Sequence, residues 1–174
     1  MNRAGLPEGS TGAPGAAPPR VSRQGLWRLR LETEVCIAAT AEQVWTVMTD
    51  FVRYAEWNPA IPSAQGEARV GTVLKVVIEW PGLKRDRYAL SVTEVERARV
   101  LAWLGHFGVR GLMDGDHRFV IEPLPAGGVR VRQVEDFAGL LIPIMAPWLR
   151  DNVLRGFVAV NEALKRRVES LVCA

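Results

Sequence analysis

Cysteine is scarce in this chain. Cys36 and Cys173 are the only two among 174 residues, and neither has a second thiol near it to form a metal pair. A disulfide between them is not expected, because reduced thiols are the default in the cytoplasm. Long hydrophobic runs are missing too. No stretch reaches the roughly 20 apolar residues that cross a bilayer, and the nearest approach, Ala138 to Leu149, is broken by Pro143 and Pro147. No basic start leads into a continuous apolar core, so a secretory signal is not read. These absences predict a cytoplasmic protein without an integral membrane segment. An excess of one charge is also lacking: of the formal +3, residues 1–25 hold +2 and residues 26–174 only +1. A basic patch that tracks phosphates is therefore not expected, nor a nucleic-acid partner. Phosphate-cradling glycine loops, a Ser/His/Asp order and zinc spacings are absent, and no cofactor is implied.

What is present falls into two unequal parts. The first 20 residues contain four each of Gly, Pro and Ala, too little apolar surface to offset the entropy of ordering, so residues 1–25 are expected to be a disordered leader. Residues 26–174 are long enough for a single domain with its own core. Leu29, Leu31, Val35 and Ile37 alternate with charged residues as a half-buried strand. Thr40 with Gln43 forms a capping box ahead of a short amphipathic helix through Trp45 and Met48, and a second short helix runs from Asp50 to about Ala55. Further strands are expected over Ser63–Arg69, Thr72–Trp80, Arg87–Val95 and Val100–Phe107, joined by short turns and hence antiparallel. From Leu149 to Leu171, apolar residues recur every three or four positions, which predicts one long amphipathic helix. Gly156 in its middle costs about 1 kcal/mol against alanine, a sign that backbone comes close to the sheet or to a ligand there.

The central hairpin carries the candidate chemistry. Gly115–Glu122 and Val129–Phe137 flank the turn Pro123–Gly128, and period-2 alternation sets His117, Phe119 and Ile121 on one face of the first strand. The same alternation sets Val129, Val131, Gln133, Glu135 and Phe137 on one face of the second. Pairing Glu122 with Arg130 places His117 opposite Glu135, whereas a two-residue slip pairs Glu122 with Arg132 and leaves His117 diagonal to Glu135. Either register keeps the two side chains within reach. Histidine and carboxylate together can serve as a base and its orienting group, or simply as a satisfied polar pair. His106 has the opposite alternation to Leu101 and Trp103, so sharing a metal with His117 would require a bulge, and no metal is expected. Asp114 and Asp116 read as a solvated strand start.

The order of elements predicts an α+β helix-grip: a curved antiparallel sheet of about seven strands around a long C-terminal helix, with two short helices after strand one. Specific residues agree. Val44–Trp45 with Asp50, Tyr54 and Trp57–Asn58–Pro59, then Gly66, Gly71, Leu101–Ala102–Trp103, Gly115–Asp116–His117–Arg118–Phe119 and Glu135–Asp136–Phe137–Ala138–Gly139 resemble the polyketide cyclase/dehydrase-type branch of the START-like (SRPBCC) superfamily over Leu29 to Glu169. The resemblance implies a cavity for a hydrophobic ligand, in a superfamily ranging from lipid carriers to aromatic-ring cyclases.

Three functions follow as expectations. The first is a carrier holding a lipid, isoprenoid or polyketide-like aromatic between sheet and helix, lined by Trp103, Phe119, Phe137, Gly156 and Phe157, with His117 and Glu135 bonding its polar end. The second is a cyclase, dehydratase or isomerase with His117 as base and Glu135 orienting it. The third is a partner-binding module that uses Leu140–Trp148, favoured by an exposed apolar patch there and the lack of a cavity.

Overall fold

The computed structural model describes residues 16–80 and 84–173. Within them the chain runs β1 (Arg20–Arg23), β2 (Arg28–Ile37), α1 (Ala41–Thr49), a 3-10 turn (Phe51–Glu56), β3 (Ser63–Gln65), β4 (Val73–Ile78), β5 (Asp86–Glu96), β6 (Val100–His106), β7 (Asp114–Pro123) and β8 (Val129–Ala138). Three continuous helical segments follow: α2 (Ile142–Trp148), a widened π turn (Leu149–Val153) and α3 (Leu154–Val172). The described strands form one antiparallel sheet in the order β1-β2-β8-β7-β6-β5-β4-β3. The helix-grip is as expected from the order of elements, with one strand more.

The added strand corrects the expectation for the leader. Arg20–Arg23 lies within the stretch expected to lack order, yet it pairs residue for residue with Glu32 back to Leu29. All four of its side chains are exposed, so composition carried no burial signal. What orders it is backbone: β2 has an open edge, and its N–H and C=O groups take a partner. The leader positions before Ala16 lie outside the described residues.

Local chemistry accounts for the elements. Thr40 accepts from the Gln43 backbone N–H, and the Gln43 side chain accepts from the Thr40 N–H at 2.9 Å, closing the capping box on α1. The β7–β8 hairpin turns on Gly127 (φ +92°) and Gly128 (φ +76°), and a Cβ on Gly128 would lie 2.6 Å from the Ile37 carbonyl oxygen. Only glycine fits both the dihedral angle and the space. That turn sets the first of the two registers, with Glu122 opposite Arg130 and His117 opposite Glu135. The long helix departs from a single regular α-helix at its start. Pro147 sits inside α2 without an N–H to donate one turn back, and the π turn follows directly.

Two apolar clusters flank α3. One gathers Val35, Ile37, Val44, Met48, Leu74, Leu90, Leu101, Trp103, Phe119, Leu164 and Val168. The other gathers Leu29, Leu31, Met113, Phe137, Ile142, Leu149, Val153 and Phe157. Between helix and sheet a buried polar contact aligns the two layers: Asn161 Nδ2 donates to Thr33 Oγ1 at 2.9 Å, while Asn161 Oδ1 has no partner among the described residues. Removing one side of such a contact costs more than removing both. Thr33→Val is therefore expected to lose about 2 kcal/mol in urea unfolding, and adding Asn161→Leu to restore wild-type stability or exceed it. A double variant as weak as the single one would refute this account of the contact.

Candidate functional site

Three central strands stack the polar residues in adjacent rows. Trp103, His117 and Glu135 lie side by side across β6, β7 and β8, and Leu101, Phe119 and Gln133 form the next row on the same face. Period-2 pleating aims all six at the helix. His117 Nδ1 meets Glu135 Oε2 at 2.5 Å, and His117 Nε2 meets Gln133 Nε2 at 3.2 Å. Both ring nitrogens are thus engaged by neighbouring side chains. Trp103 stacks on the imidazole at 5.1 Å with the planes 12° apart, Phe119 lies tilted at 4.8 Å, and Phe157 from α3 stands edge-on at 5.1 Å. His117 is 6% exposed and Gln133 2%.

Gly115 makes this arrangement sterically feasible. It precedes His117 by two positions on the same face, and a Cβ there would lie within 2.2 Å of Glu135 Oε1. The missing side chain lets the carboxylate lean over the strand and reach His117.

The cluster forms part of the wall of a cavity of about 220 Å³, which runs along the seam where the two apolar clusters fail to merge. Its lining includes Met48, Leu90 and Leu164 from one cluster and Met113, Leu149 and Val153 from the other. A straight helix against a bent sheet leaves such a gap, because neither surface follows the other.

Of the residues singled out from sequence, Trp103, His117, Phe119, Glu135, Phe137 and Phe157 all line this cavity. Gly156 does not line it, which corrects its place among the ligand contacts. A Cβ on Gly156 would lie 2.4 Å from Cζ3 of Trp80, so what approaches the helix backbone there is an indole from the segment after β4. Trp80 itself lines the cavity and packs edge-on against Phe157 at 5.8 Å.

Among the lining residues not singled out from sequence are Gln133, Trp57 and Asn58. Gln133 carried the same signal as His117, a polar side chain on an apolar strand face. Trp57 packs edge-on against Tyr54 at 4.9 Å and lines the cavity, and its Nε1 is buried without an acceptor among the described residues. Asn58 shapes the loop that carries it: its Oδ1 accepts from the N–H groups of Ala60 and Ile61 at 3.0 and 2.9 Å.

His106 pairs with Asp114 rather than with His117. Its Nδ1 lies 2.7 Å from Asp114 Oδ1, and both Asp114 oxygens accept from the Gly111 N–H. Burial alone would raise the Asp114 pKa, but the bonds from His106 and Gly111 outweigh it and hold the carboxyl below its usual range. Asp114 is thus a brace for the β6–β7 loop, not a solvated strand start, whereas Asp116 is exposed. Among the described residues, no three of His, Cys, Asp or Glu converge as a metal site, and no helix is long and apolar enough to cross a membrane. The two thiols are not joined.

A sheet gripping a terminal helix around an apolar cavity, with one buried polar cluster in its wall, defines a helix-grip protein. Comparison with known proteins sharpens this. The family model described as polyketide cyclase / dehydrase and lipid transport matches residues 28–169, and the chain belongs to that family. Among solved structures, the Zhui aromatase/cyclase from Streptomyces sp. R1128 is 23% identical, with 83% of this chain and 96% of that one covered at a TM-score of 0.69. A START superfamily protein from Mycobacterium smegmatis is 22% identical, covering 82% and 98% at 0.63. Norcoclaurine synthase from Thalictrum flavum is 16% identical, covering 88% and 99% at 0.64. At these identities the likeness is one of fold. No curated protein matches the chain.

Proposed function

We propose that this protein binds a small hydrophobic molecule in the cavity between sheet and α3, with the molecule's polar end at His117, Glu135 and Gln133. The observation that carries this reading is the buried polar cluster in a mostly apolar cavity wall, with Gln133 Oε1 lacking a partner among the described residues. A fully buried amide oxygen left without a donor is a costly feature in a core, and a bound molecule relieves it. The stacked and edge-on rings of Trp103, Phe119 and Phe157 suit a flat body better than a flexible chain.

The geometry supports holding over proton abstraction. A general base needs a lone pair aimed at its substrate, and both His117 nitrogens already face protein partners. The cyclase reading suggested by family membership requires Gln133 to release Nε2 first. Leu140 and Ile144 are 66% and 76% exposed, but an internal cavity accompanies them, so the observation that would have favoured the partner-binding reading is incomplete.

Native mass spectrometry of the purified full chain, followed by extraction, tests the binding function. A co-purifying small-molecule adduct that is lost in Trp103→Ala is expected. A chain that carries no adduct, and that gains no thermal stability from any of a panel of hydrophobic compounds, would count against it.

A further inference from the structure

The polar cluster also specifies what kind of head its ligand carries, an inference that rests on the binding function proposed above. As the Gln133 amide is placed, Nε2 donates to His117 Nε2. That ring nitrogen is then the acceptor, and the imidazole proton sits on Nδ1, where it donates to Glu135 Oε2. This tautomer is assigned from the hydrogen-bond network. Three valences remain. Gln133 Oε1 is buried with no donor among the described residues. Glu135 Oε1, leaning over Gly115, meets no donor among the described residues. The second Gln133 N–H is the one donor left over in the cluster, and Trp57 Nε1 is a further unpaired donor in the cavity wall among the described residues. The cluster is therefore rich in acceptors, and one of them belongs to a carboxylate.

A ligand head that fits this set must bring donors and must not bring a negative charge. A carboxylate or phosphate could accept from the Gln133 N–H, but it would face Glu135 across a cavity with little polar surface to screen the like charges, and that one bond does not offset its lost hydration. A hydroxyl donates to either free oxygen and can accept from the Gln133 N–H. Size narrows the body. A cavity of roughly 150 Å³ holds benzene, so about 220 Å³ suits one or two fused rings. We propose that the site selects a small hydroxyl-bearing aromatic, and rejects the anionic analogue with the same body.

Three probes share one ring system and differ only at the head: 2-naphthol, 2-methoxynaphthalene, which cannot donate, and 2-naphthoate, which is anionic. Titrated into the full chain at neutral pH and followed by tryptophan quenching, naphthol is expected to bind about tenfold tighter than either of the others. Glu135→Gln keeps the shape and removes the charge, and should bring naphthoate within about threefold of naphthol. Naphthoate binding as well as naphthol to the wild-type chain would overturn the proposal; that is also the outcome if the Gln133 amide is reversed, since Oε1 would then face a protonated imidazole. A naphthol-to-naphthoate gap unchanged in Glu135→Gln would overturn the role given to the carboxylate. Failure of all three probes would overturn the proposal, whereas the binding function stands or falls with the co-purifying adduct and the compound panel. The wild-type ordering depends on no variant folding.

Discussion

Phe157→Ala is expected to lower the thermal midpoint by about 10 °C, from a loss of about 3–4 kcal/mol at about 2–4 °C per kcal/mol in a chain of this size. Phe157 is 2% exposed and stands between two other rings, edge-on to Trp80 at 5.8 Å and to His117 at 5.1 Å. Truncating it removes dispersion contacts on both sides and merges the vacated space with the existing cavity. The loss should fall toward the lower end of the range for such truncations, because the neighbouring void already limits packing on one side of the ring. Phe157→Leu keeps most of the volume and should lose no more than about 1.5 kcal/mol. Calorimetry separates the two variants. An alanine variant as stable as the leucine variant would show that the ring is not a packed wall. The merged space should also loosen the grip on a flat probe, so that quenching by naphthol weakens in Phe157→Ala.

A reversal of sign is expected at Gly156. In a helix interior, Gly→Ala normally stabilises by about 1 kcal/mol. Here the new Cβ would sit 2.4 Å from Cζ3 and 3.0 Å from Cε3 of Trp80. Because α3 is anchored on either side of this point by buried Val153, Phe157 and Val160, the indole is the group that must yield. Overpacking of this kind costs about 1–3 kcal/mol, so Gly156→Ala should destabilise the wild-type chain. With Trp80 replaced by alanine, the clash is gone and only the helix preference remains, so the same substitution should stabilise by about 1 kcal/mol. The coupling in this double-mutant cycle is expected to be about 2–4 kcal/mol, measured by urea unfolding. Gly156→Ala stabilising both backgrounds equally would mean that the notch does not seat the indole.

Both expectations concern the same wall. Trp80 rests in the notch at Gly156, packs on Phe157, and Phe157 packs on His117. A line of aromatic contacts thus runs from the segment after β4 to the polar cluster.

How much of this was legible beforehand differs from residue to residue. The proximity of His117 to Glu135 followed from strand alternation, a short-range regularity of a hairpin, while the charges left Glu122 a choice between Arg130 and Arg132 and the structure shows the first. The stripe of α3 followed from its helical period. Gln133 was equally visible as a polar residue on an apolar face, and was overlooked because it has no charge to pair. Gly156 was rightly marked as a point of close approach, but what approaches it lies 76 positions earlier in the chain, and no local pattern connects the two. The edge strand Arg20–Arg23 was read as part of a disordered leader because composition reports burial, and this strand buries nothing; its stability comes from backbone pairing to β2.

The sequence by itself determined the order of elements, the antiparallel hairpin at the centre, the faces its residues present and the family the chain resembles. Each of these depends on periods of two or 3.6 residues and on turn chemistry within a few positions. Only the tertiary structure decided that both nitrogens of His117 are occupied, that Gln133 Oε1 and Glu135 Oε1 meet no donor among the described residues, and that a cavity runs beside them. Those facts depend on how a helix and a sheet far apart in the chain fail to fill the space between them, and no local periodicity encodes the shape of that gap.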